Sequence, residues 1–105
     1  MTTYLILYRQ TVTAAEQMAA STPEQAAEGM QAWMAWAQRA GEAVVDLGAP
    51  LQVVDAGGDA GAPVGGYSIM QADGIGALRA ALEGHPHTAW GGTIEILETL
   101  PMPGM

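Results

Sequence analysis

Five residues near the start, Tyr4-Leu5-Ile6-Leu7-Tyr8, are apolar without a break and end at polar Arg9-Gln10, which predicts a strand. Both alternating sets are apolar: Tyr4, Ile6 and Tyr8 on one face, Leu5 and Leu7 on the other. Such a strand is expected to be covered on two sides. A connector with some helical tendency over residues 14–20 follows. Thr22-Pro23-Glu24-Gln25 then reads as a helix start, in which Thr22 caps, Pro23 suits the first helical position and Gln25 completes the capping-box spacing. Beyond it Met30, Trp33, Ala37, Ala40, Val44 and Leu47 recur at intervals of three and four, predicting one helical stripe that stops at Gly48 and Pro50. Gly41 inside that stripe weakens the helix by up to ~1 kcal/mol relative to alanine.

Residues 51–55 read as a second strand, residues 57–63 as a turn-forming loop and residues 67–72 as a third strand. Asp73 is placed to cap a helix in which Ile75, Leu78 and Leu82 share a face, with Gly84 and Pro86 ending it. Residues 93–98 form the last strand, Ile94 and Ile96 alternating with Thr93, Glu95 and Leu97, before a Pro/Met/Gly tail over residues 100–105. The order β-α-β-β-α-β predicts an α+β, ferredoxin-like domain over residues 1–105 with an antiparallel sheet. Two helices cover only one face of four strands. Since the first strand is apolar on both faces, a second copy of the sheet is the economical cover, and a homodimer packed sheet to sheet is expected.

Composition sharpens this. Half of the residues are hydrophobic, but that share leans on alanine and seven methionines, and phenylalanine is absent. So thin a core in 105 residues also favours self-association. The net charge is −8, with three arginines and no lysine, so nucleic acid and anionic membrane are poor partners. The absence of cysteine excludes disulfides, thiolate metal sites and a cysteine nucleophile. The N-terminus lacks a basic region and its apolar run is too short for a signal peptide, and no stretch approaches the ~20 apolar residues of a membrane span. The expectation is a soluble, cytoplasmic chain.

Candidate chemistry gathers in the last third. His85 and His87 flank Pro86 beyond the second helix, and a histidine there suits general acid–base work. The structural alternative is helix capping, with the imidazole near the last carbonyls. His85 is the candidate general acid or base. Tyr67 after Gly65-Gly66, His87, Trp90 beside Gly91-Gly92, and Glu95 are candidate ligand-binding residues, each with packing as the competing role. Asp46, among Val44, Val45 and Leu47, and Glu42 are further acidic candidates. Two histidines without a third ligand predict no metal, and no cofactor is expected. Gly74-Ile75-Gly76 lies between strand and helix, but Arg79 holds the third glycine position of a dinucleotide fingerprint.

Tyr4-Leu5-Ile6-Leu7-Tyr8, the Trp33/Trp36 helix, Val45-Asp46-x-Gly48-x-Pro50-Leu51, Gly66-Tyr67-Ser68-Ile69 and His85-Pro86 with Gly91-Gly92-x-Ile94-Glu95-Ile96 run in the same order as in the YCII-related domain family. Over nearly its whole length the chain resembles that family, in the branch that includes the DGPF-type proteins. The resemblance implies a dimeric α/β barrel and a role in small-molecule hydrolysis or dehalogenation. The Asp-Gly-Pro-Phe signature itself is absent, with Asp59-Ala60-Gly61-Ala62-Pro63 in its loop. The family's histidine and aspartate fall at Gly29 or Met30 and at His85.

Two functions are therefore expected to compete. One is a cofactor-free hydrolase, dehalogenase or isomerase acting on a small organic ligand in a pocket between sheet and dimer partner. The other is a noncatalytic dimeric module that binds a ligand or a protein. Oxidation of a small aromatic is a third, by analogy of fold alone. The position of His85 separates the first two: near a carboxylate and open to a cavity, or packed.

Overall fold

The strand at the start of the chain becomes the centre of a sheet because every residue from Tyr4 to Tyr8 can be buried or half-buried there. A computed structural model describes residues 1–11, 14–55, 57–58 and 63–103. In it β1 (Thr2–Arg9) pairs antiparallel with both β3 (Val64–Ala72) and β4 (Thr93–Glu98), and β3 pairs antiparallel with β2 (Val44–Pro50). The order is β2-β3-β1-β4. Tyr4, Ile6 and Tyr8 lie on the same buried face as Ser68, Met70 and Ala72. Against that face pack Trp36 of α2 (Pro23–Ala40) and Leu78 and Leu82 of α3 (Ile75–Leu82). Each large apolar side chain buried there contributes about 1.5–3 kcal/mol. The Trp36 indole N–H donates to Ala81 O at 3.0 Å and ties the two helices together.

The start of α2 is as the capping-box spacing predicts: Gln25 N donates to Thr22 Oγ1 at 3.1 Å and Thr22 N to Gln25 Oε1 at 2.9 Å. Its end differs. Gly41 takes φ +58°, the helix stops at Ala40, and a 3-10 turn (Gly41–Ala43) leads directly into β2. Val44 and Leu47 do pack against the core, but from a strand. Three residues apart, they would point to opposite faces of a regular strand. The ladder with β3 shifts register between Val44 and Asp46 and again between Asp46 and Ala49, which turns both inward. The expected strand over residues 51–55 is absent: Leu51 N still donates to Gly65 O at 2.9 Å, and the chain then leaves the sheet.

Gly48, read as a helix stop, is inside β2 at φ +86°, where a Cβ would stand 1.7 Å from Tyr67 O. Asp73 does not cap α3; the N-cap is Gly74, with no side-chain bond, and Ile75 is exposed. A helix α1 (Ala14–Ala20) precedes α2, and a four-residue helix α4 (Pro86–Ala89) precedes β4. Met30, expected in the core stripe, is exposed. Residues 59–62 of the expected loop over 57–63, and residues 104–105 of the tail, lie outside the described residues.

The barrel expectation is corrected. An antiparallel four-stranded sheet with flanking helices is present, but it is open, with β2 and β4 as opposite edges three strand spacings, ~14 Å, apart. The two edge strands are held apart by β3 and β1 between them, so the four strands do not meet in a barrel. No described helix is long and apolar enough to cross a membrane.

Candidate functional site

His85 sits where α3 has ended and α4 begins. Gly84 at φ +71° turns the chain back, and His85 becomes the N-cap of α4, with Pro86 at its first position. It therefore caps the start of a helix, where the sequence suggested the end of one. Its Nδ1 accepts from His87 N at 3.0 Å, while its carbonyl accepts from Thr88 Oγ1 at 2.9 Å. Because Nδ1 accepts, the neutral ring carries its proton on Nε2.

The His85 side chain is sealed. It is 0 % exposed, and three aromatic rings surround it: Trp36 with centroid 4.3 Å away, Trp33 at 4.5 Å in an edge-to-face arrangement, and Tyr8 at 5.0 Å and nearly stacked. Nε2 has no hydrogen-bond partner among the described residues. The rings packed around the imidazole offer an N–H at most a weak acceptor. Burial, reinforced by the charges of His87 and Arg39, pushes its pKa down to about 4. No described carboxylate bonds to it.

Beneath this ring runs a short polar chain. Tyr8 Oη donates to Ser68 Oγ at 2.8 Å, and Ser68 Oγ donates to Leu47 O at 2.6 Å. Burial raises the Tyr8 pKa to about 12 against the opposing hydrogen bond with Ser68. In the sequence Tyr8 reads only as an apolar strand residue, and Ser68 carries no expected role. The signal available was the alternation of Ser68 with Met70 and Ala72, which puts a hydroxyl on the core face.

The other candidates do not converge on His85. His87 Nε2 lies 2.9 Å from Arg9 O and 3.0 Å from Thr93 O, so it holds the proton and bridges the ends of β1 and β4. Trp90 is half exposed, its ring edge 3.5 Å from where a Cβ on Gly29 of α2 would stand. Tyr67 and Glu95 belong to the opposite face of the sheet, where Leu7 pairs in register with both. Glu95 Oε1 accepts from Arg9 Nε at 2.8 Å. Asp46 and Glu42 are exposed, and Asp46 Oδ1 accepts from Gly48 N. No group of three or more metal-ligating side chains occurs among the described residues.

That opposite face is the second feature of note. Leu5 pairs with Ile69 and Leu97, and Leu7 with Tyr67 and Glu95. The helices whose side chains are buried, α2, α3 and α4, pack on the other side or at the sheet's end. At the Arg9 end the face runs into an open groove of about 540 Å³ between Arg9, Val64 and the segment carrying Val53 and Val54. Val53 and Val54 are exposed there, and Leu51, which precedes them in the chain, is exposed too.

No protein-family model matches this chain, and no curated protein matches it.

Proposed function

We propose that the chain is a noncatalytic cytoplasmic module that self-associates through the face of its sheet opposite α2 and α3. The observation that carries this reading is the enclosure of His85. A general acid or base needs access to its substrate and a partner that sets its proton, whereas His85 is sealed among Tyr8, Trp33 and Trp36 and caps α4. The resemblance to YCII-related domains enters the same reading, since His85 takes the place of the family's acid and Gly29 or Met30 the place of its histidine.

The apolar face supplies the binding surface. Four strands at ~4.8 Å and six residues at ~3.3 Å give a patch of roughly 400 Å². With the flanking Leu51, Val53 and Val54, it approaches the ~800 Å² per partner of a standard interface. The face also suits a second copy electrostatically. Although the chain carries −8, Arg9 and Glu95 on this face offset one another, so two copies can exchange Arg–Glu pairs about a two-fold axis.

Light scattering at micromolar concentration tests the reading. Two chains of 10.8 kDa give about 21.6 kDa. Leu7→Glu, at the centre of the face, is expected to return the mass to that of one chain while the fold persists. A wild-type protein of single-chain mass refutes it.

A further inference from the structure

Helix α2 carries two apolar stripes. One, with Gly29, Trp33, Trp36 and Ala40, is turned to the core and is buried or half-buried. The second consists of Pro23, Ala27, Met30 and Met34, separated by four, three and four residues. At ~100° per residue these positions fall within ~60° of one another. All four are exposed, Met30 by 61 % and Met34 by 45 %. Alternating gaps of four and three form the seam by which one helix receives another. The described side chains of α1, residues 16–20, are exposed too. Thr22 and Gln25 fix the helix start firmly, so the stripe is not a frayed end.

We propose that this stripe docks a basic amphipathic helix of a protein partner. Charge selects the occupant. No lysine or arginine occurs between Arg9 and Arg39, while Glu24 and Glu28 lie on one flank of the stripe. A partner helix with lysine or arginine beside its apolar seam pairs with that flank. A second copy of α2 laid antiparallel, with Met34 against Pro23 and Met30 against Ala27, brings Gln31 beside Glu24 and sets no lysine or arginine near either glutamate, so the carboxylates gain no counter-charge. An anionic membrane is repelled by the same glutamates and by the net charge of −8. Methionine suits the task, because its unbranched thioether adapts to an irregular apolar partner. The seam belongs to the helix layer and does not rest on self-association through the opposite sheet face.

The probe is a fluorescein-labelled synthetic helix of about three heptads, leucine at the seam and lysine on the flanks, with a glutamate-flanked twin. Anisotropy at low salt is expected to show wild type binding the lysine probe roughly tenfold tighter than the twin. Met30→Glu with Met34→Glu is expected to weaken the lysine probe by a similar factor. Glu24→Gln with Glu28→Gln lowers affinity several-fold and flattens its salt dependence. Met30→Gln with Met34→Gln keeps helix-forming residues and must show the seam loss as well, which guards against a folding artefact. Equal binding of the two probes, or unchanged binding by the methionine variants, overturns the proposal. So does a fall in oligomeric mass caused by the methionine variants in place of Leu7→Glu, since that gives the seam to a second copy.

Discussion

His85 lies over Tyr8 with ring centroids 5.0 Å apart and planes 30° from parallel. One burial environment therefore acts on two titratable rings in opposite senses. It pushes the imidazole down to about 4 and the phenol up to about 12. Between those limits both rings are neutral, and the aromatic centre of the molecule carries no charge.

Acid should unfold the chain through His85. The unfolded chain protonates this histidine near 6.5, whereas the folded state holds it neutral to about 4. Its contribution is complete above pH 6.5 and is lost as pH falls toward 4, up to on the order of 3 kcal/mol. Urea midpoints at intervals between pH 7.5 and 4.5 are expected to fall more steeply for wild type than for His85→Gln. The variant is less stable at pH 7.5, and parallel slopes would count against the assignment.

At the alkaline end the sign reverses. The unfolded chain ionises tyrosine near 10 and the folded state holds Tyr8 protonated to about 12, so stability is full below pH 10 and declines above it. Tyr8→Phe removes this decline for about 1 kcal/mol at neutral pH. Ser68→Ala strands the Tyr8 hydroxyl in the core and is expected to cost more, about 1–3 kcal/mol. Chemical denaturation of both variants at pH 7 gives the order.

Much of this arrangement was legible in residue pattern. The unbroken apolar run at Tyr4–Tyr8 marks a strand with two apolar faces, and Thr22-Pro23-Glu24-Gln25 marks the start of α2. The end of α2 was hidden because Val44 and Leu47 continue its period of three and four by coincidence of an irregular strand. Sheet closure was not legible either: an apolar second face asks for cover without saying that the sheet curls. The aromatic enclosure was missed for a different reason. It joins β1, α2 and the α3–α4 junction, and only Trp33 and Trp36 are near each other in sequence. His85 and His87 looked like a pair, yet one faces the core and the other bridges strand ends.

Two glycines with nearly the same positive φ separate backbone conformation from close approach. Gly91 at φ +88° has open space around a Cβ, so Gly91→Ala costs about 1 kcal/mol. Gly48 at φ +86° faces the Tyr67 carbonyl, and Gly48→Ala must also push β2 away from β3. It is expected to cost over ~3 kcal/mol or to prevent folding. Thermal midpoints of the two variants, measured side by side, decide the point.

Gly92 is a third kind of site, where a Cβ would stand 2.2 Å from His87 Nε2. Gly92→Ala is expected to displace the His87 ring from Arg9 O and Thr93 O and loosen the junction of β1 with β4. Amide hydrogen exchange should quicken at residues 93–95 and leave the β1–β3 ladder protected. Uniform protection across both ladders would contradict this role for His87.

The reading of this chain as a noncatalytic module turns on whether His85 is core or chemistry, and nitrogen-edited NMR of the imidazoles measures that directly. The account predicts an Nε2–H tautomer for His85, slow exchange of that proton with solvent, and no titration until pH falls toward 4. A His85 ring that titrates at or above 6.5 and exchanges freely with water would contradict it.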